Sequence, residues 1–314
     1  MQVFRRLPPR EHRRPCALTI GNFDGVHRGH RALLDALTRA SAAHGLASCV
    51  LTFEPHPREY FAALRPGLQA PPRIATLRDK LGALQDAGID RTCVVHFNAR
   101  FAALSADEFV DRVLVRGLQA RFLLIGDDFR FGAQRRGDFA TLEAAAARHG
   151  FELARMPTVA EAGVRVSSST VREALAAGDF AHVERLLGRP YAISGHVVHG
   201  RKLGRDLGFP TLNLRIPHGR PALGGVFVVR VDGLGEPALP GVASLGTRPA
   251  VETGGAPLLE VHLLDWAGDA YGRLVRVTFL RKLRDEAHYA SLEALVAQIR
   301  ADAAQARAAF AARA

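Results

Sequence analysis

The chain has 314 residues, 48% of them hydrophobic and 23% charged, close to the usage of ordinary folded domains, and at roughly 100–200 residues per domain it suits two domains. That composition excludes a disordered chain, a collagen and a disulfide-stapled miniprotein. The net charge is +11, and with Lys80, Lys202 and Lys282 the only lysines the basicity is almost wholly arginine; such a surface attracts nucleic acid, lipid headgroups or phosphorylated metabolites alike, so charge alone decides nothing.

Cys16, Cys49 and Cys93 form no C-x-x-C pair, which leaves neither a disulfide framework nor a thiolate metal site. Each lies in a short apolar run and is expected to be a buried thiol. No run reaches the ~18 apolar residues of a membrane helix, and Cys16–Ile20 is too short for a signal-peptide core. A cytoplasmic location is expected, where thiols stay reduced.

From Cys16 to about Ala177, short apolar runs alternate with helical patterns, the sign of βαβ units and a mostly parallel, doubly wound sheet. The expected strands are Cys16–Ile20, Ser48–Phe53, Thr92–Phe97, Phe122–Ile125 and Phe151–Met156. Leu33, Leu34, Leu37 and Ala40 follow one helix face. Ser105 with Glu108 makes a capping box, and Gly45 and Gly150 fall where helices should stop. After Gly188-Arg189-Pro190 the rhythm changes to alternating strands and glycine-proline turns. Tyr191–Val198, Thr211–Leu214, Val226–Val231, Gly241–Leu245, Leu258–Leu264 and Leu274–Leu280 suggest a small closed barrel, followed by an Ala-rich helix from Ser291 to about Phe310. The expected domains are residues 1–185 and 186–314.

Gly21-Asn-Phe-Asp-Gly-Val-His-Arg-Gly-His30 follows the first strand and opens the first helix. Open α/β sheets bind ligands at such junctions. Gly21, Gly25 and Gly29 let backbone approach a ligand, and the free amides of the helix start point at an anion. His27 and His30, three apart, can hydrogen-bond a phosphoryl oxygen as charge develops. Together with His56 they could instead form a zinc site, although the glycine-rich setting suits phosphate better. Ser167, Ser168 and Ser169 precede a helix, and Arg172 adds a guanidinium fork suited to phosphate. Just past the fourth strand, Phe131 could stack a flat aromatic ligand while Asp128 accepts from its ring edge. In the second half, Thr211 and Asn213 stand two apart in a strand and so face one side, offering oxygens of the kind Mg²⁺ prefers.

The first string carries the H-x-G-H signature and is similar to the nucleotidyltransferase superfamily. Its extended form resembles the prokaryotic bifunctional riboflavin kinase/FMN adenylyltransferase (FAD synthetase) family. Thr52-Phe-Glu-Pro-His-Pro57, Gly126-Asp-Asp-Phe-Arg-Phe-Gly132 and Arg165-Val-Ser-Ser-Ser-Thr-Val-Arg172 resemble further motifs of that family, Ser169 replacing a threonine. Leu203-Gly-Arg-Asp-Leu-Gly-Phe-Pro-Thr-Leu-Asn213 resembles its kinase signature P-T-A-N, with Leu212 for alanine. Ser244 and Ala250 stand where the family commonly has asparagine and threonine.

The resemblance covers essentially the whole chain. It implies a Rossmann-like nucleotidyltransferase domain followed by a riboflavin kinase-like six-stranded antiparallel barrel with a C-terminal helix. It implies riboflavin, FMN, FAD and ATP as substrates or products, with Mg²⁺ as cofactor. For adenylyl transfer it implies ATP binding by Gly21, Phe23, Gly25, His27, His30, Ser168, Ser169 and Arg172, with flavin near His56, Asp128 and Phe131. For the kinase it implies Glu260 as base and Gly204, Arg205, Thr211 and Asn213 as nucleotide and Mg²⁺ contacts. Phe279-Leu-Arg-Lys-Leu-Arg-Asp-Glu286 reads as a flexible basic flap or a solvated charge run. No nucleic-acid or membrane partner is expected, and a monomer or weak homo-oligomer is. Two other readings stay open: an adenylyltransferase for another phosphorylated metabolite, and a non-catalytic basic RNA-binding protein.

Overall fold

A computed structural model describes residues 1–157, 160–161, 164–200, 204, 207–247 and 257–312. The chain divides into two compact units, one of Met1–Pro71 with Lys80–Ser167 and one of Pro72–Asp79 with Ser168–Ala314.

In the first unit, strands β1 (Gln2–Phe4), β2 (Cys16–Ile20), β3 (Ala47–Glu54), β4 (Arg91–His96), β5 (Ala120–Gly126) and β6 (Glu152–Met156) form one sheet in the order β1-β4-β3-β2-β5-β6. Every pairing is parallel. Strands β2 to β6 are those expected from the apolar runs; β1 was not among them, because three largely exposed residues carry no periodicity. All five residues of β2 are buried, as a central parallel strand covered on both faces requires. Cys16, Leu18 and Ile20 enter one core with Leu51, Val95 and Phe109, while Ala17 enters the other with Leu34, Leu37, Val50 and Leu84. The first helix, α1 (Arg28–Ala43), buries Leu34 and Leu37 as its spacing predicts. Next come α2 (Pro57–Ala63), α3 (Leu77–Asp86), the short α4 (Ala99–Ala102) and α5 (Ala106–Glu108), which carries the Ser105/Glu108 capping box and continues into a π-helical turn, Phe109–Val115. Helix α6 (Phe139–His149) ends on Gly150 in the left-handed region.

All three cysteines are free and buried. The Cys16 and Cys93 thiols donate to the carbonyls of Leu118 and Arg6, each at 3.2 Å. Burial pushes the Cys93 thiol up to about 12, so it stays protonated and unreactive.

A two-stranded ribbon, β7 (Ala160–Glu161) with β8 (Val164–Arg165), closes the first unit. The second holds α7 (Ser168–Ala177), α8 (Phe180–Leu187) and a closed antiparallel barrel, β10-β13-β12-β11-β14-β9. Its strands are β9 (Ala192–Val198), β10 (Thr211–Arg215), β11 (Gly225–Asp232), β12 (Leu239–Thr247), β13 (Pro257–Leu263) and β14 (Leu274–Arg284). These are the six expected strands. Helices α7 and α8 cluster with the barrel, whereas the sequence reading puts them at the end of the first domain. Phe180 of α8 stacks on Phe279 at 6.0 Å and meets Phe227 edge-on at 5.8 Å. Pro72–Asp79 joins this unit through short bonds: Arg73 N–H donates to the Arg220 carbonyl at 2.7 Å, and the Tyr191 hydroxyl donates to the Ile74 carbonyl at 2.8 Å.

The segment Phe279–Glu286 is not a flap as far as Arg284: it lies within β14 and pairs with β11. Phe279 is buried, Leu280 and Leu283 pack in the cluster with Ala303 and Ala306 of the last helix, α9 (Leu292–Ala311), and Arg284 is held by Asp302 of the same helix at 2.7 Å. Ser291 caps α9 by accepting from the Ala294 amide. Among the described residues no helix is long and apolar enough to cross a membrane.

Phe227 is fully buried at the centre of the barrel. Phe227→Ala is expected to destabilise the second unit by about 3–5 kcal/mol. Trp266, the only tryptophan, lies in that unit, so urea unfolding followed by its fluorescence reads the change. An unshifted midpoint would show that the Phe180–Phe227–Phe279 cluster does not hold the barrel together.

Candidate functional site

The sheet order makes the carboxyl end of β2 a topological switch point: β3 lies on one side of β2 and β5 on the other, and a crevice opens where connections diverge in this way. Gly21–His27 lies there. Its backbone turns through three positive φ values, 48° at Phe23, 83° at Gly25 and 41° at Val26. A β-branched residue in that region is strained. The turn persists because Phe23 and Val26 are both fully buried in the core beneath it, an arrangement that recurs at ligand sites.

His27 is the N-cap of α1, and its Nδ1 accepts from the His30 amide at 3.3 Å. The two rings stack at 3.6 Å with 20° between planes, and Phe23 lies 5.1 Å from His30. Gly29 makes the stacking possible, since a Cβ there would stand 3.2 Å from the His27 ring and 3.3 Å from the Val166 carbonyl. Burial first, then the neighbouring His27 and Lys80 charges, hold the His30 imidazole well below its ordinary range, so it is neutral at physiological pH. Its Nδ1 is buried without a hydrogen-bond partner among the described residues. The pair therefore presents a neutral His30 imidazole with a buried ring nitrogen available to a ligand, at the N-terminus of a 16-residue helix.

His56, also buried, is the N-cap of α2, and its backbone N–H donates to Glu59 at 2.9 Å. Its Nε2 lies 2.9 Å from the Lys80 ammonium of α3. With two rings stacked and the third turned onto a cation, the three histidines do not converge on a metal position, and no metal-holding group of His, Cys, Asp or Glu occurs among the described residues. Two polar residues given no role by the motifs are buried here: Lys80, with no exposed surface, and Asp24, 2% exposed. The sequence signal for Lys80 is its position. With Ala83 and Leu84 it occupies the buried stripe of α3, at a place an apolar residue would ordinarily fill.

Asp128 accepts from Arg165 at 2.6 Å on an exposed surface. Phe131 is buried, 5.4 Å from Phe109, and a Cβ on Gly137 would meet its ring at 2.6 Å. Phe129, half-buried, stacks on it at 5.6 Å, so the accessible ring of this stack is Phe129, not Phe131. Ser168, Ser169 and Arg172 begin α7 in the second unit, where the Arg172 Nε–H donates to the Pro72 carbonyl at 2.6 Å.

In the barrel, Leu259, Val261 and Leu263 point inward, and Leu258, Glu260 and His262 alternate outward. The registers set Asn213 opposite Glu260, Thr211 opposite His262 and Ser244 opposite Glu260, so these polar groups share the outer face of one wall. Asn213 is 5% exposed. Its Nδ2 donates to the Thr211 carbonyl at 3.2 Å, leaving Oδ1 buried and unpartnered among the described residues. A Cβ on Gly200 would come within 2.6 Å of that carboxamide. A buried, unused amide oxygen beside a hydroxyl and across from a carboxylate fits a hard cation with phosphate ligands. Glu286, which ends the basic string and had no role of its own there, accepts from the Ser244 hydroxyl at 3.4 Å, and a Cβ on Gly246 would collide with its carboxylate. The Gly204 carbonyl accepts from the Phe209 amide at 2.6 Å. Arg205 and Ala250 lie outside the described residues.

Comparison with known proteins matches the two halves of the chain to two families in order. The FAD synthetase family model matches residues 9–170, and the riboflavin kinase family model matches residues 187–310. The bifunctional riboflavin kinase/FMN adenylyltransferase of Escherichia coli K12 is 50% identical over 93% of this chain and 92% of its own length. That of Pseudomonas fluorescens is 50% identical over 98% of this chain and 97% of its own. The crystal structure of a macrolide-efflux protein from Streptococcus pneumoniae is similar with a TM-score of 0.74 at 27% identity, covering 97% of this chain and 98% of that one. With both halves matched in order and every second residue shared with such enzymes along nearly the full length, this chain belongs to the bifunctional riboflavin kinase/FMN adenylyltransferase family.

Proposed function

We infer that this enzyme phosphorylates riboflavin to FMN with one ATP and then adenylylates FMN to FAD with a second, releasing pyrophosphate. The observation that carries this reading is the presence in one chain of two separate phosphate-ready sites: the stacked His27–His30 pair at the switch point and the Asn213–Glu260 register on the barrel wall.

In the kinase step the ribityl hydroxyl must lose a proton as its oxygen bonds to the γ-phosphorus and the bond to the β-phosphate oxygen breaks. Glu260, half-buried on β13, is the base in this reading. Thr211 and Asn213 would hold Mg²⁺, which supplies charge neutralisation on the phosphates when bound. Gly204 and Arg205 accompany them as nucleotide contacts.

In the second step an FMN phosphate oxygen attacks the α-phosphorus of ATP, and the bond to the β-phosphate oxygen breaks. The attacking oxygen is already anionic, so no covalent enzyme intermediate is needed. The work is positioning and charge stabilisation. Gly21, Phe23, Gly25, His27 and His30 are assigned to ATP. Ser168, Ser169 and Arg172 keep the phosphate role their motif implies. The flavin side is assigned to His56, Asp128 and the Phe129–Phe131 stack. The activities divide at about residue 185. Substrates are small molecules, a nucleic-acid or membrane partner plays no part, and the three free thiols suit a cytoplasmic, monomeric or weakly associating enzyme that needs no disulfide.

Glu260→Gln is expected to lower FMN formation on the order of 100-fold or more, the usual weight of a general base, while FAD formation from supplied FMN stays within about two-fold. Replacing His27 and His30 together by alanine should do the reverse, costing FAD formation on the order of 100-fold and sparing riboflavin phosphorylation. Chromatographic separation of the flavins after incubation with ATP and Mg²⁺ reads both steps at once. If both variants lost the same single activity, the assignment of one reaction to each site would fail.

A further inference from the structure

Lys80 is the most deeply buried cation in the described structure. Its side chain has no exposed surface, although it belongs to α3, whose buried stripe otherwise holds Ala83 and Leu84. Burying an ammonium is costly unless its surroundings compensate, and an apolar side chain would fill the same position more cheaply. What the lysine adds is direction. Its Nζ lies 2.9 Å from His56 Nε2, and an ammonium can only donate, so His56 accepts there and carries its ring proton on Nδ1. Its charge also reaches His30, where it is one of the causes that keep that ring neutral. ATP brings several negative charges to the site. A neutral His30 can donate a hydrogen bond but cannot balance that charge, and in a dry interior a fixed charge acts over a longer distance than in water.

Resting on the adenylyl-transfer reading above, we propose that Lys80 is a positioning residue of that step, a buried cation that locks the His56 ring through Nε2 and provides the fixed positive charge beside the stacked His27–His30 pair. Being out of reach of solvent, it acts without touching substrate, through ring orientation and a preorganised field. The titratable groups here are His27 and the buried Asp24 on the switch-point loop, His30 on α1, His56 and Glu59 at the start of α2, and Lys80 itself on α3.

The test uses Lys80→Met in the full chain. FAD formation from supplied FMN should lose on the order of 100-fold in kcat, the scale of a misplaced reacting group, while riboflavin phosphorylation in the same preparation stays within about two-fold. Without the cation, His30 protonates more readily, so the acid limb of the kcat profile should move to higher pH. Combining Lys80→Met with His56→Gln should cost less than the product of the two single losses, because the two residues act together. Lys80→Gln, which keeps a donor toward His56 without the charge, reads the same limb if the methionine variant does not fold. An unchanged kcat, or a loss with an unmoved acid limb and multiplicative behaviour with His56→Gln, would overturn the proposal and leave Lys80 a packing residue. Absence of FAD formation in the unmodified chain would instead sink the adenylyl-transfer reading itself.

Discussion

Strain at the end of β2 governs the first unit. The chain leaves the central strand through left-handed residues at Phe23, Gly25 and Val26, and two of these carry side chains that disfavour such a backbone. What holds them is burial: both rest in the core between the sheet and α1, and the apolar surface they remove from water offsets the backbone cost. The same turn delivers His27 to the N-cap of α1 and, through Gly29, lets the ring of His30 stack on it. Core packing and site geometry are therefore one arrangement, and loosening either would loosen the other.

The barrel reaches a comparable result by alternation. Each strand turns one set of side chains into a closed apolar interior and the other set outward. Antiparallel register then decides which outward residues become neighbours. Asn213 meets Glu260 because β10 pairs with β13, and Ser244 joins them because β12 pairs with the other edge of β13. Three residues spread over about fifty positions of sequence thus share one patch of wall. The rigidity of that patch comes from residues with no chemical role, Leu212, Leu214, Leu259 and Val261 among them.

Charge is handled differently in the two units. On the barrel wall the groups are acceptors, carboxylates and an amide oxygen, as suits a cation that arrives with nucleotide. At the sheet edge the groups are imidazoles and a buried ammonium, as suits anionic phosphates that must shed water before they react. One chain thereby offers two chemically distinct environments to two steps of one conversion.

Much of this was legible in the linear order of residues. Apolar runs of the right length announced β2 to β6 of the sheet, alternation announced the six strands of the barrel, and the glycine-histidine and P-T-L-N strings marked both candidate sites, because backbone freedom, side-chain period and ligand chemistry are local properties. The edge strand Gln2–Phe4 escaped for want of any pattern, and Phe279–Arg284 looked like a charged flap because its few apolar residues share the stretch with Arg281, Lys282 and Arg284. Which ring of the Phe129–Phe131 stack remains accessible, which cation lies behind the histidines, and that Asn213 faces Glu260 were settled by packing and strand register. Those are relations between residues far apart in the chain, and no local pattern can encode a distance that exists only after the sheet and the barrel have closed.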